Sequence, residues 1–278
     1  MNPNIIQKAR QTLSKVKPKL NKKEKILVAL SGGKDSTTTA YLLKKFGYKI
    51  EGIHINLGMG DYSEKCLNAV KELCRQLDIK LHLYDIKKEM GSSMCYIRTG
   101  IQNEKHGKGL KNCAICGVIK KWILNKRARE LHVNYIATGH NLDDEAQTSL
   151  INIFKGSPEL SLNTGIISKD VEDKQKRFIP RLKPLFYIPE NEIRKFAVKE
   201  KLPVVFDKCP CAIDSYRIQV RNFTNKLFDE QKLNIIKNAE GIIKKLDVKT
   251  GEISYCELCG EPARNRVCKR CELVRIKK

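Results

Sequence analysis

The sequence predicts an α/β protein: a doubly wound parallel sheet followed by a small metal-held ribbon. Three observations carry this. Short apolar runs alternate with helical patterns through residue 154, as strand–helix–strand units do. A Gly-containing hexapeptide, Ser31–Ser36, stands between the first apolar run and the first helix after it. The final 28 residues, 251–278, change to Cys-rich, basic sequence too short to build a hydrophobic core.

Taken in order, residues 1–24 read as a basic amphipathic helix (Ile5, Ile6, Leu13, Val16). Lys25–Ser31 is nearly all apolar, as a strand covered on both faces requires. Asp35–Phe46 has helical spacing closed by Gly47, a C-cap signal. Lys49–Leu57 and Lys80–Asp85 read as strands flanking a helix over Tyr62–Leu77. Cys113–Leu131 is a long helix, Asn134–Thr138 a fourth strand and Asn141–Phe154 another helix. Residues 155–178 are polar and Gly/Ser-rich, a loop. Arg181–Phe186 is a last strand, followed by a helix from Pro189 to Lys201 and two more within Ser215–Leu246. The expected division is a basic N-terminal helix (1–24), a nucleotide-type sheet domain (25–205), a helical extension (206–250) and the ribbon (251–278).

In the 278 residues, 54 Lys+Arg oppose 31 Asp+Glu, a net charge of +23. Such an excess suits a polyanionic partner, drawn by steering and counterion release. A genome rich in lysine would raise Glu alongside Lys, which the acidic count argues against. Hydrophobic residues make up 41%, enough for a real core and too many for a disordered chain. The longest clean apolar run is Ile26–Leu30, far below the ~18 residues of a membrane helix. The charge-scattered N-terminus is no secretory signal. The expectation is a cytoplasmic protein without a membrane partner, whose eleven cysteines serve metals rather than disulfides.

Ser31-Gly32-Gly33-Lys34-Asp35-Ser36 has the parts of an anion cradle: glycines for a tight turn, exposed N–H groups, two hydroxyls and a helix N-terminus. Its spacing is too short for the P-loop of common NTPases. Asp35 as a plain N-cap would explain the turn but not the whole hexapeptide. Thr138-Gly139-His140-Asn141-Leu142-Asp143-Asp144-Glu145 follows the fourth strand. Asn141 caps the next helix and the acids complement its dipole, which leaves Gly139 and His140 unexplained. His54, at the end of the second strand, is either a core histidine or a nucleotide contact.

Cys256-x-x-Cys259, eight residues, then Cys268-x-x-Cys271 can place four thiolates round one Zn²⁺, a closed structural site. Arg264, Arg266, Lys269, Arg270 and Arg275 make the ribbon a candidate nucleic-acid contact. Cys113, Cys116 and Lys120 share one helix face. They suit a thioredoxin-like dithiol, buried structural cysteines, or two ligands of a cluster with Cys209, of Lys208-Cys209-Pro210, as a distant third. Cys66, Cys74 and Cys95 read as core or surface thiols.

SGGKDS, a Cys-x-x-Cys with Lys four residues on, GHNLDDEA, Cys-Pro and a four-cysteine ribbon occur in that order. In this the chain resembles the TtuA/NcsA group of tRNA 2-thiouridine synthetases, within the PP-loop ATP pyrophosphatases, over residues 25 to about 271. The resemblance implies that Ser31, Gly32, Gly33, Lys34, Asp35 and Ser36 hold the pyrophosphate part of ATP. It extends the nucleotide site to His54, Gly139 and His140. It implies a [4Fe–4S] cluster on Cys113, Cys116 and Cys209, Zn²⁺ on Cys256, Cys259, Cys268 and Cys271, and catalytic roles for Lys120 and Asp144. It implies Mg²⁺, tRNA as substrate, and a ubiquitin-like thiocarboxylate carrier or free sulfide as sulfur donor, with a homodimer one arrangement open to it. Two departures stand out. Family members usually open with a second zinc finger, where this sequence opens with a cysteine-free helix. Cys211, two residues past Cys209, competes for the third ligand position. The alternatives are a 2-thiocytidine synthetase of the same superfamily, a PP-loop amide ligase acting on a small acid, and a zinc-ribbon RNA-binding protein with a degenerate nucleotide fold.

Overall fold

The computed structural model describes residues 4–16, 20–157, 160, 165–168, 173, 175–212, 216–245 and 253–274, with the side chains of 243 and 244 excepted. Helix α1 (Ile5–Ser14) starts with a capping box, Asn4 and Gln7 each accepting the other's backbone N–H at 3.0 Å. It lays Ile5, Ala9 and Leu13 into the core. It is shorter than the 1–24 helix expected, because Asn21–Glu24 closes a turn instead. Residues 1–3 and 17–19 of that expectation lie outside the described ones, as do Ser215, Leu246 and Arg275.

Strand β1 (Lys25–Ala29) is the middle of a five-stranded parallel sheet. Its Ile26, Leu27 and Val28 are wholly buried, which accounts for the unbroken apolar run. After it come α2 (Lys34–Lys45), β2 (Lys49–Asn56), α3 (Asp61–Leu77) and β3 (Leu81–Asp85). The chain then makes two helices that no strong sequence period marks, α4 (Ile86–Met90) and α5 (Met94–Asn103), each begun by an ordinary cap position, Asp85 and Ser93. The long α6 (Asn112–Glu130) leads to β4 (Tyr135–Ala137) and α7 (Leu142–Phe154), and β5 (Arg181–Leu182) closes the sheet in the order β3-β2-β1-β4-β5.

The last strand is shorter than the Arg181–Phe186 expected. Pro184 has no N–H to give a ladder, and the chain turns through Phe186 N to Lys183 O and Ile188 N to Leu185 O. The far side of β5 is met by the 155–178 segment, where Ile167 bridges Leu182 antiparallel. Helices α8 (Glu190–Lys199), α9 (Tyr216–Thr224) and α10 (Asp229–Lys245) follow. The C-terminal module is a hairpin of β6 (Ser254–Tyr255) and β7 (Pro262–Ala263) with α11 (Lys269–Val274).

Winding reverses between β1 and β4: chain order runs outward to β3 on one side and to β5 on the other. The loops after these two strands therefore open a crevice at the carboxyl edge, where doubly wound sheets bind ligands. Here the loops touch. A Cβ on Gly139 would stand 2.6 Å from the Asp35 carbonyl carbon and 2.7 Å from Ser36 N. Gly139→Ala must push the two loops apart, and we expect it to cost about 1–3 kcal/mol. Denaturant unfolding of the variant checks this, and an unchanged midpoint would show that the loops have room to separate.

Candidate functional site

The turn after β1 has the backbone geometry of an anion cradle. Gly32 sits at φ +84°, and a Cβ there would lie 2.9 Å from the Cys66 backbone on α3, so no other residue fits without displacement. Gly33 is the N-cap of α2 and offers no side chain. Ser31 Oγ and Ser36 Oγ lie 3.0 Å apart, and Ser36 Oγ accepts from Ser31 N while donating to Gly33 O. Val205 N, from the extended segment after α8, donates to Gly32 O at 2.8 Å and holds the turn from outside.

Lys34 binds Asp35 Oδ2 at 2.9 Å and Glu190 Oε1 at 2.8 Å. Burial works against its charge, but the two carboxylates outweigh this and hold its pKa above the ordinary lysine value. Glu190 is held in turn by Arg221 Nη2, at 2.9 and 2.7 Å to its two oxygens. Its backbone N–H donates to buried Asp143 Oδ2 at 2.7 Å, and Asp143 is neutralised by Lys232 at 2.7 Å. Glu190, Arg221 and Lys232 gave no signal in the sequence; ordinary charged residues on helices become a network only through folding.

The loop after β4 joins the same edge. Asn141 caps α7 through Asp144 N and donates from Nδ2 to Asp35 Oδ1 at 3.1 Å, tying the second segment to the first. Asp144 keeps 30% of its side chain open to solvent yet lies deep in the crevice. Crowding by protein, reinforced by the negative charge of Asp35, pushes its carboxyl up to about 6. His140 is pushed down to about 3 by desolvation and by Lys183, Arg217, Lys121 and Arg181, and is therefore neutral at pH 7. Its Nδ1 pairs with Thr138 Oγ1 at 2.8 Å. His54 is 3% exposed, its Nδ1 bonded to Leu30 O at 2.8 Å and its Nε2 without a partner. It is buried near the carboxyl end of β2.

At the start of α6, Cys113 is exposed and Cys116 half-buried, with Lys120 one turn on. Burial pushes the Cys116 thiol up; Lys120 opposes this, while Cys209 and Cys113 raise it further. The three thiols and Lys120 thus share one neighbourhood. They are not drawn together as ligands of a single ion are: among the described residues, the one group of three or more possible ligands within 4.8 Å is Cys256, Cys259, Cys268 and Cys271. A four-iron cluster needs its thiolates further apart, and a donor set of three soft sulfurs fits one. Cys211 faces elsewhere, with its sulfur 3.8 Å from Cys95 Sγ. Cys66 and Cys74 are buried, and burial lifts Cys74 to about 11.

In the ribbon, Cys259 Sγ and Cys268 Sγ are 3.7 Å apart, matching the ~3.8 Å between tetrahedral sulfurs at a Zn–S distance of about 2.3 Å. Burial opposes ionisation of Cys256, but backbone N–H donors, Cys268 N at 3.2 Å among them, bring it down to about 6 and ready it as a thiolate ligand. The module is fastened to α6. Arg270 stacks 4.2 Å from the Trp122 ring, and buried Glu261 receives Arg129 at 2.5 Å and Asn125 at 2.9 Å.

A family model described as a PP-loop domain matches residues 1–227. The chain is 35% identical over 264 residues to the tRNA-5-methyluridine(54) 2-sulfurtransferase of Pyrococcus horikoshii, covering 93% of this chain and 81% of that protein. It is 31% identical over 266 residues to the tRNA 2-thiolation protein NcsA of Haloferax volcanii, covering 89% and 81%. Its fold is similar to that of the U34-tRNA thiolase NcsA from Methanococcus maripaludis solved with its [4Fe-4S] cluster: TM-score 0.79, 27% identity, 99% of this chain and 88% of that one. No helix among the described residues is long and apolar enough to cross a membrane.

Trp122 is the chain's one tryptophan and packs on the ribbon cysteines. Purified protein should carry about one zinc in this module. Its removal by a chelator, or Cys256→Ser, should release the ribbon and shift Trp122 emission to longer wavelength. Elemental analysis and fluorescence check this; zinc-free protein with unaltered emission would contradict it.

Proposed function

This chain belongs to the PP-loop family of tRNA 2-thiolation sulfurtransferases, and on that premise we propose that it converts a uridine of tRNA to 2-thiouridine with ATP as the activating substrate. One observation carries the reading: the anion-binding turn, Asp144 and the thiols of α6 belong to loops and helix starts at one carboxyl edge of the sheet. The +23 charge suits a polyanionic substrate.

In this mechanism Ser31–Ser36 and the α2 N-terminus receive the pyrophosphate portion of ATP. Lys34 exchanges Asp35 and Glu190 for phosphate oxygens as charge grows on the leaving group. The uridine 2-oxygen attacks the α-phosphorus, pyrophosphate departs, and the oxygen becomes part of an AMP leaving group. Sulfur then takes the carbon and AMP leaves. Asp144, mostly ionised at neutrality, accepts a proton or holds Mg²⁺, which when bound neutralises phosphate charge. Lys120 steadies the negative charge that builds beside Cys116. Cys113, Cys116 and Cys209 are the residues that would hold a [4Fe–4S] cluster, which when bound supplies an iron open to sulfide. The sulfur reaches the site from a thiocarboxylate carrier or as free sulfide.

Anaerobically reconstituted protein given ATP, sulfide and unmodified tRNA should yield 2-thiouridine by nucleoside mass spectrometry; no product would refute the reading. Lys34→Ala should lower kcat/KM for ATP by tenfold or more, about 1.4 kcal/mol of transition-state binding, with iron content unchanged.

Asp144 gives a pH test. A base with its carboxyl near 6 makes the rate climb through about pH 6 and level above it. Asp144→Asn should lose that limb and about 10²-fold or more in rate. The fold raises this carboxyl above 3.8, so its ionisation subtracts stability as pH rises through about 6. The variant should therefore gain stability over wild type at pH 8 and not at pH 4, measured by denaturant unfolding.

A further inference from the structure

Two cysteines that the mechanism leaves unused face each other. Cys95, on the first turn of α5, has its sulfur 3.8 Å from that of Cys211. Cys211 Sγ also lies 3.8 Å from Met59 Sδ and accepts a hydrogen bond from Arg98 Nη2 at 3.0 Å. Arg98 is a guanidinium only 7% exposed, its Nε bonded to Met94 O at 3.3 Å. A charged donor buried that deeply favours an electron-rich partner, and its partner here is sulfur. The pair is also anchored to the thiol helix: Asn112, one residue before Cys113, donates from Nδ2 to Cys211 O at 3.4 Å and accepts from Gln102 Nε2 through Oδ1 at 3.2 Å.

Cys209 and Cys211 thus part company within three residues. Cys209 lies close enough to Cys116, Cys66 and Tyr62 for its charge to act on them, whereas Cys211 is in contact with Cys95 and Arg98. Two thiols at near-contact, with a cation on one of them, are arranged for thiol exchange rather than for packing.

We propose that Cys211 and Cys95 form a sulfur relay that takes sulfane sulfur from a persulfide and releases it as sulfide beside Cys113, Cys116 and Cys209. The inference rests on the thiolation reading above. In the first step the Cys211 sulfur attacks the terminal sulfur of a donor R–S–SH. A Cys211–sulfur bond forms, the RS–SH bond breaks, and the thiol proton leaves with R–SH. In the second step the Cys95 sulfur attacks Cys211 Sγ, which gives a Cys95–Cys211 disulfide and expels the terminal sulfur as H₂S. The sulfane sulfur is reduced and the two cysteine sulfurs are oxidised. A dithiol reductant then returns the pair to thiols. Arg98, bonded to Cys211 Sγ, stands beside the terminal sulfur on which negative charge grows as it is expelled.

The test uses the full chain, reconstituted anaerobically and supplied with ATP, tRNA and a dithiol, with either sodium sulfide or cysteine persulfide as donor. The wild type should make 2-thiouridine from both. Cys95→Ser and Cys211→Ser should keep their iron and their yield from sulfide, and lose at least tenfold from the persulfide. Without dithiol, wild type treated with the persulfide should show a Cys95–Cys211 disulfide in peptide mass spectra. Cys95→Ser should instead retain one extra sulfur on Cys211. Variants that use the persulfide as well as wild type, wild type that uses sulfide alone, or iron lost with Cys211 each overturn the relay. Wild type that thiolates with neither donor overturns the thiolation reading itself.

Discussion

The backbone contact at Gly139 is the constraint on which the rest of the site depends. Two strands that diverge in connectivity leave a crevice in any doubly wound sheet. Here the loops after them close to van der Waals contact, with no space for a Cβ between Gly139 and Asp35–Ser36. Asn141 then reaches Asp35, Lys34 reaches Glu190, and Asp143 receives the Glu190 N–H. Loosening that one approach would draw Asn141 away from Asp35 and Asp143 away from the Glu190 N–H. The same crowding explains why Asp144 is raised and His140 depressed.

Helix α6 joins the two ends of the molecule. Its first turn carries Cys113 and Cys116, and its middle and end carry Trp122, Asn125 and Arg129, which receive the ribbon. Buried Glu261 would be costly unpaired; its ion pair with Arg129 and the hydrogen bond from Asn125 fix where the ribbon sits on the helix. Asn125 also holds Arg177 O and Ile179 N on the approach to β5. The zinc-type module is thus a brace on the thiol-bearing helix as well as a basic surface.

The sheet was legible because its signal is local. Ile26–Leu30 reads as a buried strand, Gly47 as a stop, and the two Cys-x-x-Cys pairs as a metal module without any long-range knowledge. Helices α4 and α5 were not, since their short apolar faces match no clean period and pack only once Ile115 and Ile119 of α6 are beneath them. The end of β5 was misread because Lys183–Phe186 is apolar enough for a strand, while Pro184 and the turn bonds decide otherwise.

By itself the sequence determined the fold class, the glycine turn at Ser31–Ser36, the capped acidic start of α7 and the paired cysteines of the ribbon, since each rests on patterns within about ten to twenty residues. Only the tertiary structure decided which charges and sulfurs meet. Glu190 reaches Lys34 across 156 residues and Cys211 reaches Cys95 across 116. It separated Cys209 from Cys211, which look alike in sequence, by giving them different neighbours. The physical reason is that ionisation, hydrogen bonding and thiol proximity act over a few ångströms, and sequence distance says nothing about that scale once the chain has folded.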